Sequence, residues 1–385
     1  MITSIHIKNF LSIEDTIFDL TKLTEINHFS LLCGENGAGK SNILKSISLL
    51  KELIDYDKNM TVSEIYNKYK NKMCNGPIYL EYDFLLNNKK GSYLLVLSEQ
   101  GVIEEQLRLT LNKNICSCYR IHNSEVVLST KFFNNNMNKY KEIICPNLNQ
   151  YTVLSSLVKI TNCQFLSAFI KAKEDLPLTF FCFIDWINNI LISNTLDIDL
   201  LKGIASKEYK DKLTILAIIC NQFLPNIDEL YYSIYQYDKN HIEYKLYSKN
   251  NNYKKTIDFE KESEGIKQIV YLIYYLLEAA KNKIVVIDNI DTNIHPILLK
   301  SIIEFFCNKI EGQVIYTSSN SMMLLDIKEL KNMIYIVDHG DIKNINSFRR
   351  IFDKNNLLSL YCKGTFGGIP TIDQDKLSEV IQNVN

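Results

Sequence analysis

The chain has 385 residues, 46% of them hydrophobic, so it is long and apolar enough to bury a large core and to form more than one lobe. Its 43 lysines and arginines are balanced by 44 aspartates and glutamates, which excludes an overall basic surplus for nucleic acid but leaves a local basic groove open. The ten cysteines show no zinc-ligand spacing, so reduced and mostly buried thiols are expected.

The N-terminal part of the chain predicts two strands and a helix. Residues 4–10 alternate in polarity and lack the basic start and apolar stretch of a secretion signal. The run 28–33 is compatible with a buried strand that ends at Cys33. Apolar residues spaced three and four apart over 43–54 predict an amphipathic helix that follows Ser41.

The middle of the chain changes from strands to helices. Three β-rich runs between residues 78 and 111 are separated by polar turns and predict an antiparallel meander. From about 151 to 223 the pattern is helical, interrupted by Pro177 and by the turn SNTLD. The most apolar window, 178–192, contains Asp185 and is too short to span a bilayer. We therefore expect a cytoplasmic protein without a membrane partner.

The last third of the chain alternates helix and strand. A hairpin is predicted over 229–247, helices over 263–281 and 296–309, and strands over 283–288 and 313–318. This alternation is typical of a parallel sheet with crossover helices. The expected fold class is α/β, with a mainly parallel core sheet, an antiparallel β subdomain and a helical insertion.

The segment GENGAGKS fits the phosphate-binding pattern G-x-x-x-x-G-K-[ST] and lies between a predicted strand and a predicted helix, as that motif requires. Its backbone N–H groups would surround phosphate oxygens, Lys40 would reach the β- and γ-phosphates, and the Ser41 hydroxyl would bind Mg²⁺. A chance glycine-rich turn is the alternative. The expected phosphate contacts are Gly34, Asn36, Gly37, Ala38, Gly39, Lys40, Ser41 and Asn42.

Two further positions carry candidate chemistry. Asp288 ends the apolar strand 283–288, and a carboxylate at the carboxyl end of a strand beside a P-loop lies near the metal, although it could also cap a turn. Ser263 and Gly265 open a long amphipathic helix. Without its neighbours this is an ordinary helix start, with Ser263 as N-cap.

The order of these parts resembles that of the ABC-type ATPase heads of the SMC, RecF and OLD group. More closely, it resembles the stand-alone bacterial defence ATPases typified by RloA, AbiL, PtuA of Septu and AriA of PARIS. The likeness covers roughly 1–55 and 258–370. The segments that carry it are ITSIHIKNFLSIED, GENGAGKS, ESEGIKQ, DNIDTNIHP and LLSLYCKGTFGGIP.

This resemblance implies a P-loop ABC-type head in which ATP and Mg²⁺ are held between two protomers. Ser263 and the Gly265 N–H would act in trans on a γ-phosphate held by Lys40 of a partner, so at least a homodimer is expected. The implied division is a P-loop lobe with the meander (1–149), a helical insertion (150–228) and a signature lobe with the C-terminal tail (229–385).

The family pattern also raises a question about hydrolysis. It has a glutamate where this chain has Asn289, and a γ-phosphate-sensing histidine where this chain has Ser319. An amide cannot accept a proton at neutral pH, so Asn289 can orient a water but cannot act as a general base. Either the protein is a long-lived ATP-bound switch, or Asp291 or another carboxylate replaces the base and hydrolysis is slow.

His295 has two interpretations: a contact across the dimer, as the resemblance implies, or a turn residue before Pro296.

The sequence contains no nuclease of its own. The carboxylates of DIDL (197–200) are better explained as a solvated turn, and the aromatic residues of FFCFIDW (180–186) as a buried core rather than a partner groove. The resemblance therefore predicts a sensor or scaffold of anti-phage defence that controls a separate toxic effector, a nuclease, in response to a phage trigger. The region 150–228 is the expected docking surface.

Two other function classes stay open. A RecF- or SMC-like repair ATPase would bind DNA with strong salt dependence, against which the balanced charge counts. A transporter subunit is the weaker alternative, because the signature Leu-Ser-Gly-Gly-Gln is absent.

Overall fold

The structure is a computed structural model. It describes residues 1–22, 25–55, 60–122, 125–133, 137–147, 149–162, 178–193, 207–236, 242–250, 255–320, 333–348 and 357–368.

An antiparallel sheet of seven strands forms the first layer, in the order β10-β9-β8-β7-β6-β1-β2. The predicted meander is confirmed as β6, β7 and β8, and β1 joins it by pairing with β6. The strands are β1 Ile2–Phe10, β2 Ile13–Asp19, β6 Ile78–Leu86, β7 Lys89–Ser98, β8 Gly101–Leu111, β9 Asn114–His122 and β10 Glu125–Leu128. A small pair, β3 Thr21–Lys22 and β4 Glu25–Ile26, follows β2.

The core sheet has six strands in the order β11-β15-β16-β5-β17-β18. The pairs from β11 to β17 are parallel, and β18 is antiparallel to β17. Every residue of β5, β15 and β16 is buried, as expected for a parallel sheet covered on both faces. The strands are β5 Phe29–Cys33, β11 Ile190–Ser193, β15 Ile284–Ile287, β16 Gln313–Thr317, β17 Ile334–Asp338 and β18 Asp341–Asn344. The expected α/β fold is confirmed.

The helices follow the apolar periodicity of the sequence. The first begins at Lys40, after left-handed Gly39, and buries the predicted positions from Ile43 to Ile54. The helices are α1 Lys40–Ile54, α2 Val62–Tyr69, α3 Thr130–Phe133, α4 Met137–Ile144, α5 Val153–Asn162, α6 Leu178–Asn188, α7 Lys207–Phe223, α8 Glu264–Ala280, α9 Pro296–Phe306 and α10 Leu357–Cys362. None of the described helices is long and apolar enough to cross a membrane.

The region 150–228 is more than a helical insertion, because it contains β11. This strand pairs with β15 in parallel, and Ser193 O accepts a hydrogen bond from Asp288 N at 3.0 Å. The insertion is thereby anchored in the core sheet next to the candidate metal ligand. Pro177, most of the SNTLD turn and the DIDL segment lie outside the described residues. The three-part division of the chain stays a prediction.

The aromatic residues of α6 are core residues, which agrees with the interpretation favoured by the sequence. Phe180 and Phe183 are fully buried. Phe183 stacks on Phe84 of β6 with ring centroids 5.2 Å apart, and Trp186 stacks on the same ring at 4.7 Å. The described part of the insertion therefore packs against the antiparallel sheet.

A buried carboxylate ties the insertion to that sheet as well. Glu105 of β8 is fully buried and accepts hydrogen bonds from Val153 N and Leu154 N at the start of α5 and from the hydroxyls of Tyr93 and Tyr119. Burial raises the pKa of Glu105, and the four donors oppose that rise. The start of α5 is thus fixed to the middle of β8.

The predicted hairpin is confirmed as β12 Glu229–Gln236 and β13 Ile242–Asn250, which β14 Lys255–Asp258 extends to three strands. The hairpin loop, 237–241, lies outside the described residues. The Ser248 hydroxyl donates a hydrogen bond to Glu262, so this sheet is joined to the residue that precedes Ser263. All cysteines among the described residues are free, as expected.

Candidate functional site

The glycine-rich segment forms the expected loop between β5 and α1. Gly34, Gly37 and Gly39 have φ values of 154°, 88° and 106°, which L side chains rarely adopt. A Cβ on Gly34 would lie 2.2 Å from Val337 O, and Gly340 N donates a hydrogen bond to Ala38 O at 2.8 Å. The loop therefore needs glycine for its backbone conformation and for the close approach of β17.

Lys40 lies inside this loop. Its side chain is buried, and Nζ donates hydrogen bonds to Gly34 O at 2.8 Å and Glu35 O at 2.9 Å. Desolvation lowers the pKa of Lys40, while Asp288 and Asp291 act in the opposite direction. The ammonium group therefore lies where the loop curves around it and near two carboxylates.

Ser41 and Asp288 meet although they are far apart in the sequence. Ser41 Oγ donates a hydrogen bond to Asp288 Oδ1 at 3.0 Å. A second hydroxyl, Thr317 Oγ1 at the end of β16, donates to the same oxygen at 2.6 Å. Ser41 Oγ and the Asp288 carboxylate are oxygen ligands of the kind that Mg²⁺ prefers, so this pair fits the ion. Thr317 was not predicted from the sequence as a site residue, although it lies only two residues before the candidate Ser319.

Asn289 follows β15 with its backbone in the left-handed region, at φ 52°. Asparagine tolerates this region better than most residues do. Its N–H donates to Thr317 Oγ1 at 2.8 Å, and the residue is exposed. The amide thus stands next to Asp288 at the surface of the site, in a turn whose geometry suits asparagine.

Asp291 is held by the loop that follows β16. Its Oδ2 accepts hydrogen bonds from Ser318 Oγ at 3.1 Å, Ser319 Oγ at 3.3 Å and Asn320 N at 2.9 Å. Ser319 therefore contacts Asp291, not Asn289, in this structure. These three hydrogen bonds fix the orientation of the Asp291 carboxylate beside the site.

His295 caps a helix. Its Nδ1 accepts a hydrogen bond from Ile297 N at 3.3 Å, which makes it the N-cap of α9, and the residue is exposed. This geometry supports the interpretation as a turn residue. A contact across a dimer stays a prediction.

Ser263 and Gly265 open α8 as expected. Ser263 Oγ accepts a hydrogen bond from Ile266 N at 3.4 Å and is the N-cap. A Cβ on Gly265 would lie 3.0 Å from Asn293 O, so this helix start packs closely on the turn that follows Asp291. Ser263 is exposed, so its helix start is open to a second molecule.

Two segments that the sequence analysis gave no role border the P-loop. In the turn between β17 and β18, Asp338 Oδ1 bonds His339 Nδ1 at 2.7 Å and raises the pKa of that imidazole. Ligand atoms of Glu35, Asp338 and His339 lie within 4.8 Å of one another. In the C-terminal tail, a Cβ on Gly368 would lie 3.5 Å from Gly34 Cα. The tail motif noted in the sequence therefore packs against the first residue of the P-loop.

A family model described as AAA ATPase domain matches residues 1–323, which include every candidate residue from Gly34 to Ser319. No curated protein matches the chain significantly.

The solved structures that are similar to the chain include three SMC head domains. The SMC head domain from Thermotoga maritima has 12% identity and a TM-score of 0.42, with 89% of this chain and 98% of that chain covered. An SmcHead bound to the C-winged helix domain of ScpA has 14% identity and a TM-score of 0.49, with 91% and 99% covered. An Smc head domain with an extended coiled coil, bound to the C-terminal domain of ScpA derived from Pyrococcus furiosus, has 13% identity and a TM-score of 0.42, with 89% and 95% covered.

The close packing of Gly34 predicts different effects for two alanine substitutions in one loop. Gly34→Ala places Cβ against Val337 O and should lower the free energy of unfolding by at least about 2 kcal/mol. A Cβ on Gly37 meets nothing within 4 Å. Gly37→Ala should therefore lower the free energy of unfolding only through the strain of the left-handed backbone, by about 1–2 kcal/mol. Chemical denaturation measures both. Equal losses would show that the approach of β17 does not constrain the loop.

Proposed function

The chain belongs to the AAA ATPase domain family, and on that premise we propose that it is a cytoplasmic, ATP- and Mg²⁺-dependent switch whose nucleotide sites form between two copies of the chain. It serves as the sensor or scaffold half of a bacterial anti-phage defence system. In response to a phage trigger it controls a separate effector, a nuclease. Its hydrolysis of ATP is slow or absent.

One observation carries the proposal: Lys40, Ser41 and Asp288 meet at one edge of the core sheet, and an amide occupies the next position. Ser41 Oγ lies 3.0 Å from Asp288 Oδ1, and the Lys40 ammonium lies within the loop that precedes α1. The loop N–H groups and the start of α1 are suited to bind phosphate. Bound Mg²⁺ supplies charge neutralisation at the β- and γ-phosphates.

The residues around the site support slow turnover. Asn289 can orient a water but cannot take its proton. Asp291 is the nearest alternative in the turn, and its Oδ2 already accepts three hydrogen bonds from residues 318–320. The chain therefore keeps the groups that bind the nucleotide and has no acid in the usual place for a base.

The position of α8 supports a site shared between two copies. Ser263 is exposed and Gly265 packs on Asn293 of its own chain, so this helix start is available to a nucleotide on another copy. The role in defence is supported by the motifs at both ends of the chain. The region 150–228 is the proposed docking surface for the effector, because it is anchored both in the core sheet and on the antiparallel sheet.

The shared site predicts complementation between two defective variants. Lys40→Met removes the phosphate contact, and Gly265→Arg blocks the start of α8. Each variant protein alone should stay monomeric with ATP and Mg²⁺, whereas the wild type should dimerise. A mixture should form heterodimers, because one of their two sites then combines an intact Lys40 with an intact α8. Light scattering after size-exclusion chromatography measures the mass. A mixture that stays monomeric would contradict the trans arrangement.

The amide at position 289 predicts a gain of hydrolysis when a carboxylate replaces it. Asn289→Asp keeps a residue that tolerates φ 52°, and Asn289→Glu adds reach at a cost of about 1–2 kcal/mol in backbone strain. Turnover should rise at least about tenfold in one of them, since a positioned base contributes about 10²- to 10⁴-fold. Phosphate release measures the rates. Wild-type turnover that equals both variants and is abolished by Asp291→Asn would establish Asp291 as the base.

The defence role predicts protection that depends on nucleotide binding. Cells that express the chain with the gene encoded beside it should reduce phage plating at least about tenfold, and Lys40→Met in the chain should restore plating because the switch then cannot close. Equal plating with wild-type chain, variant and empty vector, for a panel of phages, would contradict the role in defence while leaving ATP binding untouched.

A further inference from the structure

We propose that Thr317 is the positioning residue of the metal site: its hydroxyl fixes the Asp288 carboxylate and the turn after it, and thereby sets the affinity for the divalent cation. The inference rests on the proposed function for the identity of its ligand. Thr317 makes several contacts within the chain that support this role.

Thr317 occupies a central place in the core sheet. It is the last residue of β16, which lies between β15 and β5, and its side chain is fully buried. Thr317 pairs with Leu32 of β5, and the preceding Tyr316 pairs with Ile287 of β15. The hydroxyl therefore lies where the strand that leads to the P-loop and the strand that leads to Asp288 both end.

Three hydrogen bonds connect Thr317 with residues 288–290. Its Oγ1 donates to Asp288 Oδ1 at 2.6 Å and accepts from Asn289 N at 2.8 Å, and its carbonyl oxygen accepts from Ile290 N at 3.0 Å. A backbone N–H can only donate, so the hydroxyl must accept from Asn289 and direct its own hydrogen to Asp288. The orientation of this hydroxyl is thus determined by its neighbours.

The bond from Thr317 is the stronger of the two that Asp288 Oδ1 accepts. Its length of 2.6 Å falls within the range of charge-assisted O–H···O⁻ bonds, whereas Ser41 Oγ is 3.0 Å away. Ser41 can turn its oxygen toward a cation, while Thr317 still holds the carboxylate. Thr317 therefore orients a metal ligand without being one, as outer residues of metal sites commonly do.

The residues that follow Thr317 hold the rest of the same turn. Ser318, Ser319 and Asn320 all donate to Asp291 Oδ2. Four consecutive residues thus fix both carboxylates of the segment 288–291 and support the left-handed backbone of Asn289. Removal of the Thr317 hydroxyl would free the first half of this turn and leave the second half attached.

The test separates metal binding from nucleotide binding. ATP affinity is measured by calorimetry in EDTA, and Mg²⁺ is titrated into the ATP-bound protein in a second experiment without EDTA. Thr317→Val keeps the shape of the side chain without its hydroxyl and should weaken Mg²⁺ binding by about 10- to 100-fold, the usual effect of losing an outer residue of a metal site. Thr317→Ser should retain the wild-type Mg²⁺ affinity. Ser30→Ala, which removes a fully buried hydroxyl from β5 of the same sheet, should also retain it.

Each outcome has one meaning. A Thr317→Val protein that binds Mg²⁺ as tightly as wild type overturns the inference, as does an equal loss in Ser30→Ala. A wild type that binds no ATP contradicts the proposed function instead. If Thr317→Val does not fold, hydrogen exchange on the wild type decides: the Asn289 N–H, which donates to Thr317 Oγ1, should exchange at least about tenfold more slowly than an unbonded amide. Exchange at the unbonded rate overturns the inference.

Discussion

One carboxylate oxygen, Asp288 Oδ1, accepts hydroxyl hydrogens from two other segments of the chain, Ser41 at the start of α1 and Thr317 at the end of β16. This is possible because β15, β16 and β5 are parallel neighbours, so their carboxyl ends reach the same edge of the sheet. The two hydroxyl groups donate hydrogen bonds that water would otherwise supply to the Asp288 carboxylate. Lys40 lies at the same edge of the sheet. The order of the strands in the core sheet therefore brings these residues together.

The turn that begins at Asp288 connects the candidate site with the start of α8. Asp291 is fixed by residues 318–320, and Asn293 O lies against Gly265 at the start of α8. Asp288, Asn289 and the start of α8 therefore belong to one continuous series of contacts within the chain. Asn289 lies in the middle of it, in a left-handed conformation that suits asparagine better than glutamate, so the residue type agrees with the shape of the turn.

The sequence predicted the fold class and the helices and strands that border the candidate site. The P-loop, the buried strands, the amphipathic helices and the meander each depend on the pattern of a few neighbouring residues, and each is present. The helix caps at Ser263 and His295 also follow from local chemistry. The strand β11 was missed, because three apolar residues and a serine between helical stretches cannot be distinguished from a helix end by periodicity.

What the sequence determined by itself is the set of parts: a phosphate loop, a strand-terminal aspartate, an asparagine after it and a capped helix start. Only the tertiary structure decided how they are joined. Ser41 and Asp288 are 247 residues apart, and Thr317 is 29 residues from Asp288. Glu105 likewise meets the start of α5 from 48 residues away. Such contacts depend on which strands become neighbours, and strand order is set by packing of the whole chain rather than by the pattern within any one segment.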